Sequence, residues 1–104
     1  MSREKGDKLE TYVSNSLSIN KTTNSGAKFG NADLANRDIV IECKYKSLPH
    51  FRPDKKELSK VIDIAENSHR EWAYIQQIQD SKIYTVIDFE FFSELIDCWS
   101  NANI

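Results

Sequence analysis

The chain lacks several features that would place it in a specialised class of protein. No apolar run approaches the roughly 18–20 residues needed to span a bilayer. The charged start, residues 1–5, has no apolar stretch of the signal-peptide kind, so we expect a cytoplasmic protein. Two cysteines, Cys43 and Cys98, are too few for a disulfide scaffold, and neither has a second Cys or His at zinc-ligand spacing. We expect both to be reduced and buried as small apolar side chains.

A net positive charge is also absent, since the formal net charge is −2. The distribution along the chain is nevertheless uneven. Residues 21–60 hold nine basic and five acidic side chains, whereas residues 61–104 hold two basic and eight acidic ones. The basic middle leaves room for a surface that faces phosphates, and ordinary solvated charge explains it equally well.

The hydropathy pattern predicts one domain over residues 1–104 with the element order α-β-β-β-α-β-β-α. Because strands flank a helix, we expect an α/β fold with a mixed β-sheet flanked by helices. The predicted helices cover residues 3–17, the segment from the Asp54 cap to about His69, and a last helix capped by Asp88. The predicted strands cover residues 18–23, a strand that begins at 32–34, and residues 38–46, 72–78 and 83–88.

The clearest strand, residues 38–46, carries two charged side chains in an apolar setting. Glu42 and Lys44 are two residues apart and therefore emerge on the same face. The β-branched residues before them are typical of a central strand that is covered on both sides. A cross-strand ion pair is the ordinary explanation of an isolated E-x-K. In a covered strand, however, such charges cost several kcal/mol unless they are paired or bind a metal.

A second carboxylate, Asp33, lies on the preceding strand across a short hairpin. Two carboxylates with water and a phosphate oxygen suit Mg²⁺. The ion would polarise a scissile phosphate and activate water, and Lys44 would orient that water and offset charge in the transition state. Asp38, four residues before Glu42, is the alternative ligand. We favour Asp33 because Asp38 is better placed as a turn-exit residue.

Asp33 followed by Glu42-x-Lys44 resembles the D…(D/E)-x-K signature of the PD-(D/E)XK nuclease superfamily. The nearest branch is the small archaeal-type and phage Holliday junction resolvases. Glu10 matches a glutamate that those proteins carry on the first helix, and residues 25–31 are similar to their Ser/Gly-rich loop. The proline that often precedes the aspartate is Ala32 here. The resemblance implies a restriction-endonuclease-like core and Mg²⁺, with Mn²⁺ as a substitute, at Asp33, Glu42 and Glu10.

Contacts to DNA are expected from the loop before Asp33 and from the basic middle of the chain. Ser25 and Lys28 offer a hydroxyl and an amine to backbone phosphates. Five further basic residues form a stripe that would follow the DNA backbone: Lys46, Arg52, Lys55, Lys56 and Lys60. Lys60 is also positioned on the second helix such that it can project toward the site.

The last helix is apolar over more than one narrow stripe, from Phe89 to Trp99. We expect it to cap the monomer core, and the alternative is a dimer interface. The resemblance implies a twofold homodimer, because cutting two strands of a junction needs two active sites.

Three functions follow as hypotheses. The first is a metal-dependent endodeoxyribonuclease that cleaves branched DNA, as a Holliday junction resolvase does. The second is a nicking or repair nuclease of the same superfamily that acts on linear DNA. The third is a non-catalytic nucleic-acid-binding module. The intact combination of Asp33, Glu42 and Lys44 argues against this third hypothesis.

Overall fold

A four-stranded mixed sheet lies at the centre of the computed structural model, which describes residues 2–22 and 32–102. The strands follow one another in the order β1-β2-β3-β4. β2 and β3 run parallel, and the two outer pairs are antiparallel. This confirms the predicted α/β class with a mixed sheet and helices. The elements are α1 (Ser2–Leu17), β1 (Leu34–Ala35), β2 (Ile39–Lys46), α2 (Lys55–Ser68), β3 (Glu71–Ile78), β4 (Ile83–Ile87) and α3 (Phe89–Ala102).

Each face of β2 is covered by a helix, as its unbroken apolar run predicts. On one face, Leu9 and Val13 of α1 pack in a cluster with Ile41. On the other face, Val61 of α2 packs in a cluster with Val40. Each of these buried aliphatic side chains stabilises the fold by about 1.5–3 kcal/mol. Side chains that alternate along β2 therefore enter two separate apolar layers, and Glu42 lies in the layer beneath α2.

Aspartates cap α2 and α3 as predicted. The carboxylate of Asp54 accepts a hydrogen bond from the backbone N–H of Glu57 at 3.1 Å. The carboxylate of Asp88 accepts from the N–H groups of Glu90 and Phe91 at 3.0 and 3.2 Å. These bonds satisfy donors that the first helical turn leaves unpaired. None of the described helices combines the length and the apolar character that a membrane crossing requires.

The strand predicted over residues 18–23 is not formed in its described part. Ser18 ends α1 in the left-handed region, with φ of 58°. Beyond it, Lys21 makes a single antiparallel bridge to Leu34. β1 is two residues long, so it offers too short an edge for a longer ladder.

The last helix does not cap the monomer core, and this prediction was wrong. None of the residues of α3 is buried. Cys98 lies on α3 and is exposed, so its predicted burial was also wrong, whereas Cys43 is buried in β2. The apolar periodicity was real, but periodicity does not specify what a helix packs against.

Candidate active site

Glu42 is a buried carboxylate at the centre of β2, with 4% of its surface exposed. Its Oε2 atom lies 3.3 Å from the Nζ atom of Lys60 on α2. Its Oε1 atom is buried and has no hydrogen-bond partner among the described residues. An unsatisfied buried oxygen costs about 1–3 kcal/mol and needs an explanation. A carboxylate left this way is suited to bind a cation.

Asp33 is held beside Glu42 by the backbone of β2. Its Oδ2 atom accepts a hydrogen bond from the N–H of Cys43 at 2.9 Å. The segment that carries Asp33 is fixed by Thr22, whose N–H donates to the carbonyl of Asp33 at 2.9 Å and whose hydroxyl donates to the carbonyl of Ala32 at 2.6 Å. Burial raises the pKa of Asp33, and the bond from Cys43 and a hydrogen bond with Glu42 oppose that rise. The two carboxyls therefore form one adjacent pair, as the hairpin predicted.

Asp38, the alternative ligand, lies outside this pair. Its side chain is 78% exposed, and its carboxylate is 3.7 Å from Arg37. Four residues of extended strand separate it from Glu42, a distance of about 13 Å. The geometry thus favours Asp33 over Asp38.

Glu57 is a third carboxylate near this pair, and it was not predicted from the sequence. Its Oε1 atom lies 3.2 Å from the Nζ atom of Lys60, so Lys60 bridges Glu57 and Glu42. Burial, a hydrogen bond with Glu57 and the charge of Asp33 raise the pKa of Glu42 to about 9. The same hydrogen bond lowers the pKa of Glu57. Glu42 therefore holds a proton more readily than Glu57 does.

One sequence signal for Glu57 existed. Glu57 and Lys60 are three residues apart at the border of the apolar stripe of α2, so both reach the sheet beside Val61. What the sequence does not show is which turn of α2 faces Glu42.

Glu10 lies near Asp33 and belongs to α1, the helix that covers the other face of the sheet. It is half-buried on α1, and its pKa is raised to about 7, first by burial and then by the charge of Asp33. The charge of Lys21 acts in the other direction. Glu10 thus lies close enough to Asp33 for their charges to interact, while its role in a metal site stays a prediction.

The carboxylate oxygens of Asp33 and Glu42 are ligands of the kind that Mg²⁺ binds. Within residues 2–22 and 32–102, no three His, Cys, Asp or Glu side chains converge closely enough to form a ready-made metal site. Mg²⁺ commonly takes one or two carboxylates and keeps several waters, so a ready-made three-ligand cage is not required. Asp33 and Glu42 supply two adjacent carboxylates, and the unpaired Oε1 atom of Glu42 is one free ligand atom.

Lys44 shares the face of β2 with Glu42 but does not pair with it. Its Nζ atom lies 4.0 Å from the Oδ2 atom of Asp54, and that of Lys46 lies 3.6 Å from the same oxygen. The side chain of Lys44 is 36% exposed. Its ammonium is therefore directed toward the start of α2 and remains accessible from solvent.

Two buried polar side chains of β3 lie under these charges, and neither was predicted. The register places Tyr74 beside Glu42 and Gln76 beside Lys44. The hydroxyl of Tyr74 accepts a hydrogen bond from the N–H of Asp54 at 2.9 Å and donates to the Oε1 atom of Gln76. Gln76 is fully buried, and its Nε2 atom has no partner among the described residues. Tyr74 thus links the start of α2 to the sheet.

The predicted DNA contacts divide into three groups. Ser25 and Lys28 lie outside the described residues. Lys46 and Lys60 are partly buried, and they pair with Asp54 and with Glu42, respectively. The others are exposed around the start of α2: Arg52, Lys55 and Lys56.

Comparison of the chain with protein-family models, with curated proteins and with solved structures found no match. The resemblance to PD-(D/E)XK nucleases therefore stays a prediction from the residues.

Proposed function

We propose that this protein is a Mg²⁺-dependent endodeoxyribonuclease with a restriction-endonuclease-like PD-(D/E)XK core. The observation that carries the proposal is the buried carboxylate of Glu42, which lies beside Asp33 and leaves Oε1 unpaired. Two adjacent carboxylates, one buried and one half-buried, are costly unless a cation or a proton joins them. A structural ion pair with Lys60 does not need a second acidic side chain at this point, whereas two carboxylates match the protein ligands that Mg²⁺ commonly takes.

In this proposal Asp33 and Glu42 hold Mg²⁺, or Mn²⁺ in its place, and Glu10 adds negative charge on the side of Asp33. When bound, the ion polarises the scissile phosphate and neutralises its charge. Lys44 contacts the attacking water and the phosphate, because it lies on the same strand face and its ammonium is accessible. Lys60 retains one positive charge at the carboxylates, which limits repulsion among them.

The chemistry is hydrolysis of a phosphodiester bond in DNA. The oxygen of water forms a bond to phosphorus, the bond to the leaving sugar oxygen breaks, and that oxygen receives a proton. The exposed cations Arg52, Lys55 and Lys56 lie around the start of α2, next to Lys44, and suit contacts to the phosphates that flank the cleaved bond.

We propose branched DNA as the substrate and a homodimer as the active form, with α3 as the interface. At about 100° per residue, the apolar side chains of α3 form one stripe and its acidic side chains form another on the opposite side, about 180° away. The apolar stripe contains no charged residue and consists of Phe89, Phe92, Leu95, Ile96 and Trp99. The acidic stripe consists of Glu90, Glu94 and Asp97.

A second copy of α3 fits this stripe better than a charged partner does. Two such stripes meet face to face without bringing like charges together, because the acidic residues point away. The exposed part of the apolar stripe amounts to roughly 500 Å² per subunit, so a pair buries about 1,000 Å², the lower limit of a specific interface. None of these residues is buried within the monomer. Two sites in one dimer would then cut the two strands of a junction.

The deciding experiment is a cleavage assay on three labelled DNAs: a four-way junction, a linear duplex and a single strand, each with Mg²⁺ or with EDTA. Symmetric paired nicks at the junction are the expected result. Equal cleavage of linear DNA would favour the nicking or repair nuclease instead. Absence of Mg²⁺-dependent cleavage on all three would overturn the enzyme proposal and leave a nucleic-acid-binding module.

The matched variants for this assay are Glu42→Gln and Glu66→Gln. Glu66 is an exposed carboxylate on α2 that touches no part of the site, so its variant should cleave like the unmodified protein. Glu42→Gln should lose cleavage while the protein remains folded. Equal activity of the two variants would show that Glu42 has no catalytic role.

A further inference from the structure

A row of three side chains crosses the sheet from the site to its outer edge. The register pairs Lys44 with Gln76, and Gln76 with Tyr84 of β4. Residues paired in this way share one face of the sheet, so Tyr84 lies on the same face as Lys44. Two strand spacings separate their backbones, a distance of about 10 Å. Unlike Gln76, Tyr84 is 41% exposed.

Tyr84 is paired with a second exposed aromatic residue, Phe51. The two ring centroids lie 5.2 Å apart with an interplanar angle of 60°, which is an edge-to-face contact. Phe51 is 37% exposed. In such a contact, the ring that presents its edge keeps both of its faces free of the other ring. Both residues of the pair therefore present part of their side chains to solvent.

The segment that carries Phe51, residues 47–53, is anchored at both of its ends. At its start, the N–H of Gln79 donates to the carbonyl of Lys46 at 2.6 Å, and the side-chain amide of Gln79 donates to the carbonyl of Ser47 at 3.2 Å. At its end, Asp54 is bonded to Tyr74 and caps α2. The aromatic pair is thus held at a defined distance from Lys44.

Basic residues adjoin the elements that carry the pair. Arg52 directly follows Phe51, and Lys46 ends the strand from which the segment leaves. Tyr84 and Lys82 line a shallow surface depression of about 210 Å³ together with Pro49 and Ile78. Aromatic rings set among cations are the combination by which proteins bind single-stranded nucleic acid: bases stack on the rings and phosphates meet the cations.

We propose that Phe51 and Tyr84 form a stacking site for an unpaired DNA base close to the cleaved bond. This inference rests on the proposed nuclease function and narrows its substrate to DNA that carries unpaired nucleotides, such as a flap, a loop or an open junction. At 3.4 Å per stacked nucleotide, the separation of about 10 Å places the base about three nucleotides or fewer from the scissile phosphate. Fully paired duplex DNA has no unpaired base that could stack on these rings, so the site should not increase its affinity.

The test measures binding in EDTA, so that it does not depend on catalysis. The probes are a blunt duplex and the same duplex with a six-nucleotide single-stranded tail that contains 2-aminopurine. The tailed duplex should bind about tenfold more tightly, because stacking of one base on an aromatic ring contributes that much. The 2-aminopurine fluorescence should be quenched on binding.

Four variants make the test specific. Tyr84→Ala and Phe51→Leu should remove the preference for the tail and the quenching, while Tyr84→Phe should keep both because stacking needs the ring alone. Leu48→Ala, an exposed apolar residue of the same segment, is the control and should bind like the unmodified protein. Phe51→Leu keeps an apolar side chain. A loss of tail preference in this variant would therefore show that the aromatic ring is needed, even if Tyr84→Ala fails to fold.

Two results would overturn the inference: equal binding of the tailed and the blunt duplex by the unmodified protein, or an unchanged tail preference in folded Phe51→Leu. Failure of the nuclease proposal has a different signature. In that case Mg²⁺-dependent cleavage is absent, whereas the preference for the tail in EDTA persists.

Discussion

The ammonium of Lys60 lies 3.3 Å from Oε2 of Glu42 and 3.2 Å from Oε1 of Glu57, so one lysine joins two carboxylates of the site. In the absence of a divalent ion, Lys60 therefore supplies the nearest positive charge to both side chains. A bound Mg²⁺ would supply positive charge at the same place, so replacing Lys60 should change the affinity for the metal.

Replacing Lys60 by Gln should make the protein more dependent on metal. Without Mg²⁺ the carboxylates lose a half-exposed partner, and we expect a loss of about 1 kcal/mol, or about 4–8 °C in Tm. Adding Mg²⁺ should then raise the Tm of Lys60→Gln by more than it raises that of the unmodified protein. Thermal melts with EDTA and with Mg²⁺ measure both effects. An equal rise in the two proteins would mean that Lys60 and the metal act at separate places.

Asp33→Asn should abolish cleavage while the fold is retained. An amide oxygen at this position still accepts the hydrogen bond from the N–H of Cys43, but it carries no charge for the metal. We expect a loss of at least about 100-fold in single-turnover rate with Mg²⁺. Asp38→Asn is the matched control and should cleave normally, since Asp38 is exposed and lies beside Arg37. Loss of activity in Asp38→Asn alone would assign the ligand to Asp38.

Lys44→Ala should slow the chemical step and leave DNA binding close to unchanged. Lys44 contributes one charge among several near the start of α2, so its share of phosphate binding is small, whereas its place beside Glu42 on β2 is the one for a transition-state contact. The expected loss in single-turnover rate is about 100–1,000-fold. Binding measured in EDTA is the companion readout. A variant that binds weakly but cleaves normally at saturating protein would make Lys44 a DNA-contact residue.

The stability of the metal-free protein should fall as the pH rises from about 4.5 to about 9. The pKa of Glu42 is raised to about 9 and that of Glu10 to about 7 in the folded protein, above the ordinary value of 4.5. In this range the unfolded chain has released protons that the folded protein still holds, so the free energy of unfolding decreases with pH. Glu42→Gln should flatten the dependence and raise the Tm at pH 8. A pH profile in EDTA that is equally steep in Glu42→Gln would contradict this origin.

The proposed dimer predicts that Phe92→Glu produces a folded monomer. Phe92 lies in the apolar stripe of α3 and is not buried within the subunit, so a carboxylate there affects the interface and spares the core. Size-exclusion chromatography with light scattering should give the mass of a dimer for the unmodified protein and of a monomer for Phe92→Glu. Glu94→Gln, on the opposite side of α3, should remain dimeric. A monomeric unmodified protein at micromolar concentration would remove α3 as the interface.

The local parts of the site were predictable from the sequence. Period-two alternation placed Glu42 and Lys44 on one face of β2, and the aspartate at position 54 marked the start of α2. These features depend on neighbours in the chain, which a sequence pattern records directly.

The contacts between elements were not predictable in the same way. Glu57 reaches Glu42, and Tyr74 links α2 to Gln76, through the packing of α2 on the sheet. No local pattern fixes that packing angle. For the same reason the apolar stripe of α3 indicated a contact surface but not its partner, and the core-capping role predicted from it was wrong.

Most of the charged cluster lies in one continuous segment, residues 39–78, in which α2 connects the two parallel strands β2 and β3. These strands are the buried centre of the sheet, whereas β1 and α3 lie outside it. Amide hydrogens of β2 and β3 should consequently exchange last, through global unfolding, while those of α3 exchange through local opening. Glu42 would then remain in place during the smaller fluctuations of the protein.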